Sequence, residues 1–337
     1  MTLGEKSNMP IEVSVVIPTH NRCDDVEHTI KTLAAIGDFE LEIIVVDDAS
    51  TDRTVPMLEA LRSEQRNLKV VTNTRNLGAG RSRNAGFNEV QGQYTIFLDA
   101  DDLVHPAGLV DMHLAAVTTN ADIVLAPFDL SSGVGHPTRD MHGLERRMWA
   151  RMTELAPDGI FTLGAIPEVM RIANYPWNKL INTRYAQSIG LRFGDTPVHN
   201  DVFAHWQTML QARWIAFTKT NICTHIVPIT SGNITNISDK RRLGLFDALE
   251  EVEDFFDEKP FLRANYYHHF LSFKVDVLIW ASTIIDKAHG ADFLYRSKDV
   301  LRRVRVSDAL RLAEDNPEKA KTFRVLPAIL SADLDLA

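Results

Sequence analysis

Cysteine is nearly absent from this 337-residue chain: Cys23 and Cys223 are the only two. They lie far apart and in no CxxC spacing. That excludes a disulfide framework and a thiolate zinc site, and fits a reducing compartment. Positive charge is also in deficit. Lys and Arg number 36 against 45 Asp and Glu, a net charge of −9, so general nucleic-acid binding, which runs on clustered positive charge, is excluded. A phosphate-bearing ligand would need positive charge that is local or supplied by a metal. No apolar run approaches the ~18 residues a membrane-crossing helix needs; the longest, residues 270–285, carries Lys274 and Asp276. Residues 1–10 have no apolar core of the signal-peptide kind. A soluble cytoplasmic protein is expected, with attachment to the inner face of a membrane left open. There is no internal repeat, no low-complexity tract and no G-x-S-x-G elbow. What is present is ordinary globular composition, 45% hydrophobic and 24% charged, with length for about two domains.

Over the first 130 residues a β-branched run, a polar turn and an amphipathic segment follow one another repeatedly. The spacing predicts strands over 12–17 (stopped by Pro18), 41–46, 68–72, 94–98 and 123–126. Helices are predicted over 24–36, from an Asp52 or Thr54 cap to 64, over 79–90, and from Pro106 to 118. Such alternation predicts an α/β fold with a mostly parallel sheet flanked by helices. The ligand crevice of such a sheet lies beyond the carboxyl ends of its strands. Polar clusters fall there: Pro18-Thr19-His20-Asn21, Asp47-Asp48, Arg75-Asn76 and Asp99-Ala100-Asp101-Asp102. Residues 131–140 read as a loop. From Leu245 the pattern becomes helical, with a stripe of Leu245, Leu249, Val252, Phe255 and Phe256 and further helices over 266–285 and 300–314.

Several carboxylates at the end of a buried strand repel one another, and their ionised form needs a compensating cation. All-oxygen ligands suit Mg²⁺ or Mn²⁺; a solvated acidic turn before Pro106 is the competing reading. Gly78-Ala79-Gly80-Arg81-Ser82-Arg83 fails as a dinucleotide fingerprint, because Arg83 stands at the third glycine position and the stretch follows the third strand. It offers instead a helix start with Arg83 as an anion partner, while Arg81 reads as a solvated side chain. His268-His269 are adjacent and show no metal spacing. The basic run Arg296, Lys298, Arg302, Arg303 and Arg305 reads as a solvated helix face.

Together, VSVVIPTHNR, EIIVVDDASTDRT, NTRNLGAGRSRNAG and YTIFLDADD resemble, in order and spacing, the donor half of the family 2 glycosyltransferases, which have the GT-A fold, a Rossmann-like sheet. The resemblance is strong over residues 11–110 and continues to about 240. It implies that Pro18 and Thr19 line the nucleotide pocket and that Asp48 accepts the base imide N–H. It places Asn76 and Arg83 at the donor, Asp99 at the ribose or sugar, and Asp101 on the metal at the diphosphate. His20 stands where tyrosine is more usual, altering any stacking on the base. Downstream, Tyr175-Pro-Trp-Asn-Lys-Leu-Ile181 resembles the W-x-K-L-I segment of bacterial members, with Trp177 either an acceptor sugar platform or a core residue. Asn200-Asp201 stands where the family has Glu-Asp, making Asp201 the catalytic base and Asp195 the fallback; Asp201 also reads as a helix N-cap. Ser231 and Thr235 belong to a stretch resembling the loop that closes over the diphosphate. His225 is either a third metal ligand or a structural histidine.

The resemblance therefore implies an inverting, metal-dependent hexosyl- or N-acetylhexosaminyltransferase. It would move a sugar from a nucleotide-diphosphate donor, UDP first, to a hydroxyl of a glycan, polymer or lipid-linked acceptor. The expected organisation is a GT-A domain over 1–240, with a donor half at 11–130 and an acceptor half at 141–240. A helical region over 245–337 would serve acceptor binding or self-association. Two alternatives stand beside it. A non-catalytic donor-binding scaffold is motivated by the neutral Asn200 and by Asn233 in a serine position. A sugar-1-phosphate nucleotidyltransferase ranks low, because its basic Gly-rich loop should follow the first strand.

Overall fold

The structure, a computed structural model, describes residues 10–227 and 237–334. β1 (Val13–Thr19) and β2 (Leu41–Asp47) are buried at every position, as strands covered on both faces must be. Between and after them run α1 (Cys23–Ala34), α2 (Thr54–Glu64), β3 (Leu68–Thr72), α3 (Ala79–Phe87) and β4 (Tyr94–Phe97). These four strands lie side by side in the order β3-β2-β1-β4, all parallel. Asp52 accepts from the Thr54 N–H at 2.9 Å and so opens α2. The expected stop at Pro18 does not occur. Pairing of β1 with β4 ends at Val16↔Phe97, so the ladder no longer needs an N–H on that side at Pro18, and pairing with β2 continues to Thr19↔Asp47.

β5 (Leu103–Val104) and α4 (Pro106–Thr119) lead to β6 (Ile123–Leu125), β7 (Asp129–Ser131), β8 (Arg139–Asp140), α5 (Gly143–Leu155) and β9 (Ile160–Phe161). β10 (Lys179–Asn182), α6 (Thr183–Ser188), α7 (Val202–Gln211), β11 (Ile215–Phe217) and β12 (Cys223–Ile226) follow. The main sheet continues from β4 through β10, β6 and β11 to β9, and β10 and β9 run antiparallel to their neighbours. A second sheet has the order β5-β12-β7-β8. The expected loop at 131–140 is thus a hairpin, with Asp129↔Asp140 and Leu130↔Arg139 paired.

The C-terminal elements are α8 (Gly244–Asp257), α9 (Pro260–Ile284), α10 (Gly290–Arg302), α11 (Val306–Asp315) and α12 (Pro317–Asp333). The expected helix over 300–314 is broken in two, because Asp308 turns back to accept from the Arg305 N–H at 3.0 Å and starts α11 afresh. The stripe from Leu245 to Phe256 is buried as expected; the main core runs from Val13 to Leu334, with a smaller second cluster around Val16, Phe97 and Phe193. Lys274, 0% exposed, is neutralised inside that core by Glu253, which also accepts from the Tyr267 hydroxyl at 2.5 Å. Lys298, Arg302 and Arg305 of the basic run are exposed, as expected of a solvated face, but part of the run is paired. Arg296 pairs with Asp247, and Arg303 and Arg305 pair with Asp257 at 2.7 Å, so most of its charge is spent on α8. Among the described residues no helix is long and apolar enough to cross a membrane.

Candidate active site

The carboxyl ends of β1, β2 and β4 open onto one edge of the sheet, and the loops there are tied together by their own side chains. Pro18 and Thr19 are buried at the end of β1, and Thr19 Oγ1 has no hydrogen-bond partner among the described residues. His20 is exposed and its Nδ1 lies 2.8 Å from the Asp48 carbonyl. Asp48 is 3% exposed, and its carboxylate accepts from Asn73 Nδ2 and the Leu77 N–H at 2.8 Å and from the Gly78 N–H at 2.7 Å. It therefore anchors the 73–78 loop, with one lone pair of Oδ2 left for a base N–H. Asn76, on that loop, is exposed.

Gly78, at φ +87°, turns this loop into α3. At Gly80 a Cβ would fall 2.1 Å from the Gly194 carbonyl oxygen, so glycine there lets the first turn of α3 press against the 193–200 segment. Asn84 fixes the same contact twice, donating to the Phe193 carbonyl at 2.9 Å and accepting from its N–H at 2.8 Å. Arg83 is thereby held between two segments far apart in sequence. Nη2 donates to Asp99 Oδ1 at 2.5 Å and Nη1 to Asn200 Oδ1 at 2.7 Å, while Nε is buried without a hydrogen-bond partner among the described residues.

The acidic cluster after β4 divides among three cations. Asp99 takes Arg83. Asp102 turns inward, and its Oδ1 accepts from His225 Nδ1 at 2.8 Å and the Ile226 N–H at 2.9 Å. The antiparallel register of β5 and β12, with Thr224 opposite Leu103, brings His225 beside Asp102. Burial opposes a charge on His225, but the bond to Asp102 and the nearby Asp99 and Asp101 outweigh it and raise its pKa. Asp101, with a side chain 46% exposed, pairs among the described residues with Arg22, at 3.7 Å. Burial, then the charges of Asp99 and Asp102, push its carboxyl up to about 6.

Asp201 stands at the N-cap of α7 but makes no side-chain capping bond, so its carboxylate is not committed to the helix. Burial is the main cause that raises it to about 6; Asp99 adds to the rise, and Arg83 and Lys179 oppose it. Asp99 thus lies within electrostatic reach of both Asp101 and Asp201, and Arg83 pairs with Asp99. The fallback Asp195 is exposed and bound to Arg81 at 2.8 Å, so Arg81 is an ion-pair partner and not a free surface cation. Lys179, the lysine of the W-x-K-L-I segment, was given no role from sequence, and His205 went unnoticed; both are buried around Asp201, and burial lowers the Lys179 ammonium to about 7. No motif marks His205, one polar residue in an apolar run.

The acceptor-platform reading of Trp177 is corrected. The indole is 0% exposed, stacked under Tyr175 at 4.6 Å and edged by Phe128 at 4.9 Å, so neither face is open to a sugar. Ser231 and Thr235 lie outside the described residues. Asp101, Asp102 and His225 do not form a ready three-ligand cage; among the described residues the one such group is His268, His269 and Asp315.

The sequence model of a family described as Glycosyl transferase family 2 matches residues 14–183, half of the chain. This chain belongs to that family. It is a glycosyltransferase, and its matched half holds Asp48, Arg83, Asp99, Asp101, Asp102 and Lys179, while Asn200, Asp201, His205 and His225 lie beyond it. A cholesterol galactosyltransferase of Borreliella burgdorferi is 25% identical over 342 residues, covering 95% of this chain and 91% of its own length. The poly(ribitol-phosphate) beta-N-acetylglucosaminyltransferase TarS of Staphylococcus aureus is 32% identical over 131 residues, 38% of this chain and 22% of its own. In three dimensions S. aureus TarS 1–349, solved in complex with UDP-GlcNAc, matches at TM-score 0.69 and 19% identity, over 94% of this chain and 91% of that one. The fold of this family 2 glycosyltransferase is therefore GT-A, with helices following the sheet domain.

Proposed function

We propose that the chain is an inverting glycosyltransferase that takes a hexosyl or N-acetylhexosaminyl group from a UDP-sugar. It would pass that group to a hydroxyl of a glycan, polymer or lipid-linked acceptor at the cytoplasmic face of a membrane. The observation that carries this reading is the Arg83 bridge. One guanidinium joins Asp99, from the acidic cluster, to Asn200, the neighbour of Asp201, so one side chain ties the segment beyond β4 to the start of α7. The names of the relatives, one for galactosyl and one for N-acetylglucosaminyl transfer, support a UDP-hexose class of donor.

The residues present fit a hard divalent ion, Mg²⁺ or Mn²⁺. The donor atoms are carboxylate oxygens; among the described residues Asp101 has a loose cationic partner in Arg22, and Asp102 Oδ2 is buried without a hydrogen-bond partner. Such ions bind one or two protein carboxylates and complete their shell with water and phosphates, so the lack of a three-ligand cage agrees with them. Asp101 would hold the ion, with His225 steadying Asp102 behind it. When bound, the ion would neutralise charge developing on the diphosphate. Arg83 would add a fixed positive charge nearby. Asp201 would accept the acceptor hydroxyl proton as that oxygen attacks the anomeric carbon, a general-base contribution of ~10²–10⁴-fold. The leaving diphosphate needs a cation and not a proton, so one base suffices, unlike the two carboxyl groups of a glycosidase. The sheet domain would handle the donor, and residues 245–337 would serve the acceptor or self-association.

The test is a panel of nucleotide sugars assayed by thermal shift with and without Mn²⁺, followed by mass spectrometry of released nucleotide. Stabilisation by UDP-sugars and Mn²⁺-dependent release of UDP are expected. Binding without release under any condition would favour the scaffold reading.

A further inference from the structure

Well outside the cleft, α9 and α11 bring three ligating side chains together. One ligand atom each from His268 and His269 on α9 and from Asp315 at the end of α11 lies within 4.8 Å of the other two. His269 is 1% exposed, and neither of its ring nitrogens has a hydrogen-bond partner among the described residues; Nδ1 of half-buried His268 also lacks one. A buried polar atom left without a partner costs about 1–3 kcal/mol, and three of them on adjacent rings are unusual in a packed helical layer. Sequence adjacency does not send the two rings to opposite sides. Their centroids are 4.1 Å apart. Asp315 Oδ2 stands 3.9 Å from His269 Nδ1, too far for a hydrogen bond and close enough for both to reach one ion.

We infer that His268, His269 and Asp315 form a divalent-metal site that fastens α9 to α11. Two imidazoles and one carboxylate suit a borderline ion, with Zn²⁺ the first choice. Metal–ligand distances of about 2.0–2.2 Å require only a modest closing of the 3.9 Å gap. The exposed edge at Asp315 leaves a fourth position for water. Acidic groups outnumber basic ones around the rings: Asp308, Glu314 and Asp315 stand against Arg311 and Arg171. This site differs in kind from the cleft, whose oxygen donors suit a harder ion, and it does not depend on the proposed reaction.

The experiment uses the full chain stripped with chelator and titrated with Zn²⁺ by calorimetry, with Co²⁺ as a spectroscopic substitute. The expected result is one Zn²⁺ per chain, a visible four-coordinate Co²⁺ band and a raised melting temperature. Asp315→Asn and His268→Gln, both at partly exposed positions, should each weaken Zn²⁺ binding by about tenfold or more and leave the metal-free melting temperature unchanged. Asp101→Asn should bind Zn²⁺ as the wild type does. Absence of stoichiometric uptake, uptake indifferent to both α9 and α11 variants, or uptake lost only in Asp101→Asn would overturn the inference.

Discussion

Asp201 carries two consequences of one placement. Burial raises its carboxyl to about 6, close to the working range of a general base. The transfer rate should therefore rise with pH through about 6 as Asp201 loses its proton, and then level off, in a steady-state pH profile. Asn200 makes this profile adjustable. In Asn200→Asp a second carboxylate would sit beside Asp201, and like charge raises a pKa, so the acid limb should move to higher pH; an unmoved limb would assign it to another group. The same burial bears on stability. A carboxyl whose folded pKa lies above its unfolded value of 3.8 binds its proton more tightly when folded. Its contribution is full below pH about 4 and is lost as pH rises through about 6. Asp201→Asn should thus unfold at higher denaturant at pH 7.5, by about 1–3 kcal/mol, with the gain vanishing near pH 4. A loss of stability at pH 7.5 would contradict the placement.

At the scale of elements, the four parallel strands were legible because each is a β-branched run closed by a polar turn, and predicted and observed ends agree within about two residues. The second sheet was not. Two- and three-residue strands such as Leu103–Val104 and Asp129–Ser131 are too short to show a period, and their pairing is set by chain segments distant in sequence. The break at Arg305 was hidden for a related reason: Asp308 caps α11 while also accepting from Arg263 at 2.6 Å, a contact no local pattern displays. Two contacts between elements can be tested. Gly80→Ala would drive a Cβ into the Gly194 carbonyl, backbone that cannot swing aside. A cost of about 1–3 kcal/mol is expected in equilibrium unfolding, together with weaker catalysis as Arg83 shifts. Glu253→Gln takes from the buried Lys274, whose ammonium burial already lowers to about 7, its ion-pair partner, which should cost about 3–5 kcal/mol; adding Lys274→Met should recover most of it.

At the scale of the whole molecule, the motifs named Asp99, Asp101, Arg83 and Asp201 with an expected role for each, but not the contacts among them. Those depend on Asp102 turning away to His225, 123 positions distant, and on Asn200 accepting from Arg83. Trp177 illustrates the converse: a motif tryptophan became core because Tyr175, two residues before it, covers its face. The central claim is that one carboxylate holds a cation for the donor while another, across the cleft, receives the acceptor proton. The measurement closest to it compares Asp201→Asn with wild type in single-turnover transfer and in calorimetric UDP-sugar binding with Mn²⁺ present. The account predicts unchanged donor affinity and transfer reduced by ~10²-fold or more. Transfer at the wild-type rate would contradict it.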